Sequence, residues 1–280
     1  MAVAHTKRRL NSVIFAVFLI MLLAYTALPI LFASQTSFKT LNDIFVKIPL
    51  FWFQPTLEHW QGVVTGGDFL TFYKNSLLIA TVTDLVVLTA GSMAGYALAR
   101  FRVRKKEDLA FWILSQSMMP PVAVILPLYV LYSSAHLLDT YTGIVLAYTA
   151  FNLPFAVWLM RSFFEDVPIA LEEAALVDGS TRLGVFFRIS LPIVKPGLIA
   201  CGVYTFVMCI NEFFFAFMLT GPTVRPASVA IINFLPQGVR GTLYGEAAAA
   251  AILVMLPAVL LFFFLQRYFV AGMTFGTVKE

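Results

Sequence analysis

The feature that most constrains this chain is a set of six mostly apolar stretches, each long enough to form a membrane-spanning helix, which needs about 20 residues. They cover residues 13–33, 76–99, 109–134, 140–160, 197–219 and 247–266. Only 12% of the 280 residues are charged, whereas soluble domains carry roughly 25%. The sequence therefore predicts an all-α polytopic membrane protein with six transmembrane helices, forming a single transmembrane domain over residues 1–280.

The basic residues predict how these helices are oriented. Fourteen of the nineteen Lys and Arg residues lie in one set of connecting segments and five lie in the other. The richer set is 1–12, 100–108, 161–196 and 267–280, and the poorer set is 34–75, 135–139 and 220–246. Because cytoplasmic loops are enriched in Lys and Arg, both termini are expected in the cytoplasm. The basic residues from Arg100 to Lys106 fit a contact with membrane lipids better than a nucleic-acid surface.

The longest predicted cytoplasmic connection, residues 161–196, contains a polar stretch between two apolar runs. Pro168 is expected to start a helix over residues 169–177, and Gly179 is expected to end it. The acidic residues of this helix disfavour contact with the negative inner leaflet and favour a protein groove as the partner. The alternative is an amphipathic helix that lies on the lipid surface.

A second short helix is expected to follow in the same loop. Ser180 is a residue type that caps helix N-termini, and the helix is predicted to run through about Arg188. Pro192 and Pro196 are expected to end the element, because proline has no backbone N–H to donate and its ring clashes with the preceding helical turn. The sequence thus predicts two short cytoplasmic helices between transmembrane helices four and five.

This loop also carries a recognisable signature. Its positions are Glu173, Ala174, Ala175, Gly179, Ile189, Leu191 and Pro192. The spacing resembles the EAA loop of the membrane subunits of ABC importers at every signature position. The stretches NSLLIATVTDLVVLTAGSMAGYALARF, LPFAVWLMRSFFEDVP and LQRYFVAGMTFGTVKE are similar to the maltose-permease-type subunits of carbohydrate importers. The resemblance extends over residues 70–280.

The resemblance implies a permease subunit of an ATP-driven importer in the bacterial inner membrane. Its substrate would be a carbohydrate (a sugar, oligosaccharide, polyol or substituted sugar) that an extracytoplasmic binding protein delivers. The implied partners are a second permease subunit, forming a heterodimer, and a dimer of ABC ATPases that binds ATP and Mg. In this family the EAA helix sits in a cleft of the ATPase. The residues expected to couple to it are Leu171, Glu172, Glu173, Ala174, Ala175, Asp178, Gly179, Ile189, Leu191 and Pro192.

The chain itself is not expected to be an enzyme. The phosphate-binding pattern G-x-x-x-x-G-K-[ST] does not occur in the sequence, since no Gly is followed by Lys. No cluster of His or acidic residues has the spacing of a metal or acid–base site, so no metal and no cofactor is expected in this chain. The resemblance also implies that the outer loops 34–75 and 220–246 dock the binding protein, although an aromatic belt at the membrane surface also explains the tryptophans of the first loop.

Polar side chains inside the apolar runs are the candidates for a substrate path, because such groups are costly in a bilayer. The candidates are Gln116, Asn152, Asn211 and Glu212, together with Phe215 as a ring on which a sugar can stack. Pro120–Pro121 and Asn152 with Pro154 are expected to interrupt spans three and four. The alternative is that these polar groups join helices to one another or to a second permease subunit.

The alternative function is that of a secondary transporter, which moves a small polar solute with an ion gradient. Such a protein needs carboxylate, His or Lys relays within the membrane and often has internal repeats. Asp84 and Glu212 are the only charged residues in the six apolar runs, and the two halves of the chain show no repeat. Asp84 is expected to lie in the outer third of its helix, in a structural role. The importer hypothesis is therefore favoured.

Overall fold

The computed structural model describes residues 2–46, 51–234 and 243–275, with side chains in 12–46, 51–234 and 243–266. Within these ranges every regular element is helical. The α-helices are α1 Ala2–Phe38, α2 Leu41–Ile44, α3 Glu58–Thr65, α4 Phe69–Arg100, α5 Lys106–Ser115, α6 Pro121–Ser134, α7 Tyr141–Glu165, α8 Ile169–Val177, α9 Arg182–Val185, α10 Leu191–Ile193, α11 Lys195–Asn211, α12 Phe214–Leu219, α13 Ala227–Ala230 and α14 Tyr244–Phe275. Two 3₁₀ turns, Gln116–Met118 and Ile231–Phe234, and one π turn, Phe186–Ser190, complete them.

Four of these helices, α1, α4, α7 and α14, are long and apolar enough to cross a membrane. Two helix pairs qualify only as bent spans: 106–118 with 121–134, bent by 89°, and 182–193 with 195–211, bent by 78°. The all-α membrane-protein class is thereby confirmed. By length and composition the described residues provide between four and six crossings, so six crossings with cytoplasmic termini remain a prediction.

The apolar runs three to five differ in where their helices break. The first bend follows Met119, where Pro120 is extended at ψ 127° and Pro121 starts α6, as its sequence predicts. In contrast, α7 continues through Asn152 and Pro154, so the prediction of an interruption in span four is wrong. A long packed helix tolerates the loss of the single backbone hydrogen bond that an internal proline removes.

The fifth apolar run, predicted as one helix over 197–219, is broken at Glu212. The helix α11 ends at Asn211, and Glu212 takes an extended conformation at ψ 124° before α12 begins. Both carboxylate oxygens of Glu212 accept backbone N–H groups of the new helix, from Phe215 at 2.9 Å and from Ala216 at 3.0 Å. A carboxylate that satisfies the free donors at a helix start stabilises a break that apolarity alone does not reveal.

The chain divides into two compact units, residues 1–67 with 231–253 and residues 68–230 with 254–280. In the second unit α4 and α7 pack side by side, and α11 packs against both. One buried cluster of this unit consists of Val87, Tyr96, Ala156, Met160, Phe164, Val167, Phe186, Val194 and Cys201. This core reaches from the long helices into the predicted coupling loop, since Val167 and Phe186 belong to that loop.

Two glycines allow α4 and α7 to approach closely. A Cβ atom on Gly91 would lie 2.9 Å from the Cβ of Ala156. A Cβ atom on Gly95 would lie 2.8 Å from the backbone nitrogen of Arg161 and 3.0 Å from the Cβ of Met160. Small residues four positions apart are typical of interfaces between membrane helices, because they bring the two backbones together.

In the first unit, α3 packs against the end of α1. The rings of Phe38 and Trp60 stack with centroids 5.7 Å apart, and the Trp60 indole N–H donates to the Ser37 hydroxyl at 3.3 Å. Buried His59 lies 2.8 Å from the carbonyl oxygen of Lys39 and 3.2 Å from a Glu246 carboxylate oxygen. From Ser12 onward, where the side chains of α1 are described, most of those before this contact are apolar and exposed, as lipid-facing side chains of a membrane helix are.

Candidate functional site

The helix α8 forms the first part of the predicted coupling loop, and its bounds Ile169–Val177 match the prediction. It ends in a tight reversal, in which the Gly179 N–H donates to the Leu176 carbonyl at 3.1 Å and the Ser180 N–H donates to the Ala175 carbonyl at 2.9 Å. These are the two hydrogen bonds of a Schellman motif. Gly179 has φ +87°, a left-handed conformation that only glycine adopts at low cost.

The second helix of the loop starts one residue later than predicted. Thr181, not Ser180, is the N-cap, and its hydroxyl accepts the Gly184 N–H at 3.1 Å. The Ser180 N–H instead closes the end of α8. Nor does Pro192 end the element: a π turn leads into α10, where the Leu191 N–H donates to the Phe186 carbonyl five residues back. The wider turn makes room for a proline at an early helix position.

The ten residues predicted to contact an ATPase fall into two groups. Glu172 and Ala175 are buried, and Ile189 and Leu191 are partly buried. The exposed predicted residues are Leu171, Glu173, Ala174, Asp178, Gly179 and Pro192. We call the surface of α8 formed by Leu171, Glu173, Ala174, Val177, Asp178 and Gly179 the α8 outer face. Neighbouring carboxylates thus point in opposite directions, with Glu173 toward solvent and Glu172 toward the protein.

Glu172 is the centre of a buried polar network. One carboxylate oxygen accepts hydrogen bonds from Arg100 Nε at 2.9 Å and from the Ser190 hydroxyl at 2.8 Å, and the other accepts from the Tyr96 hydroxyl at 3.1 Å. Arg100 also donates to the Val167 carbonyl at 2.7 Å. The Arg100 and Glu172 side chains are only 8% and 7% exposed. The assignment of Arg100 to a lipid contact is therefore wrong, because its guanidinium faces an internal carboxylate.

No pattern in the sequence singles out the partners of Glu172. Tyr96, Arg100 and Ser190 lie 76, 72 and 18 residues away along the chain. One signal was available: an arginine at the end of a long apolar helix can pair with a carboxylate early in a short helix on the same predicted side of the membrane.

A second network, around Arg161, has the same chemistry. Arg161 donates to Glu107 at 2.6 Å and to Glu165 at 2.8 Å, and so joins α5 to α7.

The predicted substrate-path residues occupy different environments. Gln116 is exposed and donates to the Trp112 carbonyl of the preceding helix α5 at 3.2 Å. Asn152 is partly buried and donates to the Tyr148 carbonyl at 2.8 Å. Asn211 is exposed and donates to the Val207 carbonyl at 2.9 Å. Phe215 is 3% exposed and packs on Phe151 with ring centroids 4.1 Å apart, so it belongs to the packed core.

Asn152, Glu212 and Phe215 lie where α7 faces the break between α11 and α12. The Asn152 amide lies 3.8 Å from the sulfur of Cys209, and the Tyr148 hydroxyl lies 3.4 Å from the Glu212 carbonyl oxygen. Both carboxylate oxygens of Glu212 accept backbone N–H groups at the start of α12, so the structural role of Glu212 is to cap this helix. Two exposed rings at the same break, Phe213 and Phe217, stack at 5.5 Å with planes 16° apart.

Asp84 lies near the middle of the long helix α4, and its place in the outer third of a membrane span stays a prediction. It lines an apolar cavity of about 240 Å³ together with Leu88, Leu198, Gly202 and Phe206. One of its carboxylate oxygens is buried and has no hydrogen-bond partner among the described residues. Among the side chains described, no three His, Cys, Asp or Glu residues form a group that could hold a metal ion.

The predicted outer loop 220–246 is anchored at its start by Asp139. The carboxylate accepts backbone N–H groups from Gly221 at 2.8 Å, Val224 at 3.0 Å and Thr223 at 3.1 Å. Burial by itself would raise the pKa of Asp139, but these hydrogen bonds, led by that of Val224, hold the pKa below its ordinary value. Asn75 adds an amide that donates to the Arg225 carbonyl at 3.1 Å. Residues 235–242 of the predicted loop lie outside the described residues.

Comparison with known proteins extends over most of the chain. Residues 87–275 match the family described as "Binding-protein-dependent transport system inner membrane component". The chain is 34% identical over 276 residues to the "Probable ABC transporter permease protein y4oR" of Sinorhizobium fredii, covering 99% of each protein. It is 31% identical over 260 residues to the "Trehalose transport system permease protein SugB" of Mycobacterium tuberculosis, covering 92% of this chain and 94% of that protein.

A solved structure shares the fold. One chain in the crystal structure of a bacterial ABC transporter involved in the import of the acidic polysaccharide alginate matches with a TM-score of 0.77. The sequence identity is 22%, and the match covers 93% of this chain and 97% of that chain. At this identity the likeness concerns the fold, which therefore recurs with little sequence in common.

Proposed function

Since the chain belongs to the family of binding-protein-dependent transport system inner membrane components, we propose that it is the permease subunit of an ATP-driven carbohydrate importer. It is a transport component with several apolar helices, and its proposed location is the bacterial inner membrane. A carbohydrate as substrate is supported by the relative whose name includes a trehalose transport system. In this proposal an extracytoplasmic binding protein delivers the solute to the outer loops.

The observation that carries the proposal is the two-sided geometry of α8. Its outer face combines the exposed carboxylates of Glu173 and Asp178 with apolar side chains, among which Leu171 is 48% and Val177 is 87% exposed. An exposed apolar group rimmed by charges is typical of a protein-binding surface. On the opposite side, Glu172 fixes the helix to the protein. A helix that is anchored on one face and open on the other is suited to fit a cleft of a partner subunit.

We assign the partner's role to a dimer of ABC ATPases, which would bind ATP and Mg in its own sites. Glu173 would pair with a basic side chain of the ATPase, as an exposed carboxylate does in a charge-assisted hydrogen bond. The Gly179 reversal would set the angle between α8 and α9, so that both short helices move together. A second permease subunit would complete the path, and a heterodimer is the arrangement we propose.

The proposed substrate path passes the break between α11 and α12. The exposed amide of Asn211 and the exposed rings of Phe213 and Phe217 lie within seven residues of one another. Amide groups hydrogen-bond sugar hydroxyls, and aromatic rings offer an apolar surface with defined geometry. Asn152, Glu212 and Phe215 would support this surface from behind, because their polar atoms or rings are engaged within the protein.

The experiment that tests the proposal is purification of the tagged full-length chain from its native membranes, followed by identification of the co-purifying proteins. We expect a second permease, an ABC ATPase and ATP hydrolysis that increases when the solute-loaded binding protein is added. The solute bound to that protein would then identify the substrate. Recovery of the chain alone, transporting in liposomes with only an ion gradient, would contradict the proposal and make Asp84 the first residue to replace.

A charge reversal tests the coupling role directly. Glu173→Lys is expected to abolish recovery of the ATPase, because it places a positive charge on the α8 outer face where a carboxylate is proposed to pair. Asp108→Lys is the matched control, since Asp108 is also exposed and also lies on the predicted cytoplasmic side. Equal recovery of the ATPase with Glu173→Lys and with the wild-type chain would reject the assignment of Glu173.

A further inference from the structure

We propose that the buried ion pair between Glu172 and Arg100 is the joint through which movement of α8 reaches the long helix α4. Glu172 is then a positioning residue for transport, distinct from the residues that contact the ATPase. This inference rests on the proposed function, because it takes movement of α8 by an ATPase as its starting point. It concerns the step inside this chain that follows contact with the ATPase.

The network of Glu172 ties together four separate segments of the chain. Arg100 and Tyr96 come from the end of α4, Val167 from the segment between α7 and α8, and Ser190 from the π turn. The Glu172 carboxylate accepts three hydrogen bonds, and Arg100 adds a fourth to the Val167 carbonyl. Each end of the ion pair is therefore bound to more than its partner, so α8 cannot shift without pulling the end of α4.

Burial makes this joint resistant to opening. The side chains of Arg100 and Glu172 are 8% and 7% exposed, and Ser190 is fully buried. Separating the ion pair inside the protein would leave two uncompensated charges in a medium of low dielectric constant, which is strongly unfavourable. Charge-assisted hydrogen bonds are also roughly twice as strong as neutral ones. A force applied to α8 is therefore expected to move α4 rather than to break the contact.

The path continues from α4 to α7 through rigid contacts. Tyr96, which bonds Glu172, follows Gly95, whose Cα lies directly against the backbone of α7 at Met160 and Arg161. The Tyr96 ring also packs on Phe164 of α7 with centroids 5.3 Å apart. Because closely packed helices transmit displacement as bodies, a shift at the end of α4 reaches α7 without an intervening flexible segment.

The test replaces Glu172 with glutamine in the assembled transporter. Glutamine keeps the shape of the side chain: its single amide oxygen can accept from Ser190 and Arg100, and its NH2 group can donate to the Tyr96 hydroxyl. The substitution removes the charge that pairs with Arg100. ATP hydrolysis with MgATP is measured before and after the solute-loaded binding protein is added. We expect Glu172→Gln to retain the ATPase and its basal hydrolysis while stimulation by the binding protein falls by roughly tenfold, within the range that changes along coupling networks produce.

A double variant separates transmission from simple stability. Glu172→Gln with Arg100→Gln leaves no uncompensated buried charge, so the thermal midpoint is expected to recover toward that of the wild type. Stimulation by the binding protein is expected to stay low, because the ionic joint is absent. Recovery of stimulation together with the midpoint would overturn the inference and leave Glu172 with a structural role. Arg102→Gln, the same change at an exposed position two residues away, is the control and is expected to match the wild type.

Two milder variants keep the inference testable if Glu172→Gln fails to assemble. Ser190→Ala and Tyr96→Phe each remove one hydrogen bond to Glu172 and keep the ion pair. Both are expected to lower stimulation while basal hydrolysis is retained, and unchanged stimulation in both would overturn the inference. Failure of the proposed function gives a different result, since the wild-type chain would then recover no ATPase at all.

Discussion

Replacing Gly95 with alanine is expected to destabilise the contact between α4 and α7. The added Cβ would lie 2.8 Å from the backbone nitrogen of Arg161 and 3.0 Å from the Cβ of Met160. Ordinary contacts of a Cβ atom lie at 3.4–4 Å. Since the nearest atom belongs to the backbone of a helix, no side-chain rotation relieves the clash, and the two helices must move apart.

The magnitude follows from the size of this displacement. Bringing the Arg161 contact to the ordinary range requires a separation of roughly half an ångström to one ångström, and overpacking of this kind costs about 1–3 kcal/mol. Alanine favours a helix over glycine by about 1 kcal/mol, which offsets part of the cost. Because the clash is with a helix backbone, the upper half of the overpacking range, about 2–3 kcal/mol, applies, and the helix preference of alanine reduces it to a net loss of about 1–2 kcal/mol. This corresponds to a decrease of roughly 2–8 °C in the melting temperature of a chain of this size.

The two buried cysteines provide the assay. Cys201 is fully buried and Cys209 is 5% exposed, so a thiol-reactive dye labels them only when the second unit opens. The midpoint of labelling against temperature is measured for the purified chain in detergent. Gly67→Ala is the matched control, because a Cβ at Gly67 meets no atom within 4 Å.

An unchanged labelling midpoint for Gly95→Ala would contradict the predicted loss of packing between α4 and α7. It would mean that α4 and α7 separate without loss of packing energy, and that the close approach at Gly95 is not a constraint on this fold. A decrease of equal size in Gly67→Ala would also refute it, since the effect would then come from glycine replacement in general rather than from the helix contact.

Three further predictions concern single residues. Gly179→Ala is expected to cost roughly 1–2 kcal/mol of local stability, because φ is +87° there, and limited proteolysis should cleave after α8 faster than in the wild type. Glu212→Ala is expected to lower the labelling midpoint because α12 loses its two hydrogen bonds to the carboxylate, whereas Asn211→Ala, at an exposed side chain, should leave the midpoint unchanged and reduce transport. The pKa of Asp139 is depressed in the folded state, so its stabilisation is complete above the unfolded pKa of about 3.9 and is lost as pH falls through the lower folded value. The protection of the Gly221, Thr223 and Val224 amides against hydrogen exchange, relative to their intrinsic rates at each pH, should therefore decrease at acid pH, and Asp139→Asn should remove this pH dependence.

Much of the helical architecture was predictable because it depends on local chemistry. Runs of apolar residues predict the long helices, and the Pro120–Pro121 pair marks the first bend, since proline lacks the N–H that a continuous helix needs. The stretch from Pro168 to Gly179 predicts α8 with its observed bounds, because a proline that starts a helix and a glycine that ends one each act within a single turn. Where two residues compete for one role, as Ser180 and Thr181 do for the N-cap, local chemistry leaves an error of one position.

The candidate site was predictable only in part. The spacing of Glu173 and Gly179 identifies the loop, but it does not distinguish Glu173 from Glu172. That distinction depends on which helix face packs inward, and the packing is set by Arg100 and Tyr96, over seventy residues away. In the same way Glu212 is a polar residue in an apolar run from sequence alone, and a helix-capping carboxylate only once α11 has ended beneath it.

Local chemistry in the sequence is sufficient for the class of this protein, its long apolar helices, the bend at Pro120–Pro121 and the end of α8 at Gly179, because those properties arise from a single residue or from neighbours within a few turns. Only the tertiary structure decided that α7 runs unbroken through Pro154, that the fifth apolar run breaks at Glu212, and that Arg100 turns inward to Glu172. These outcomes depend on the desolvation of polar groups, and a buried charge or free backbone group must find a partner wherever the fold brings one within reach.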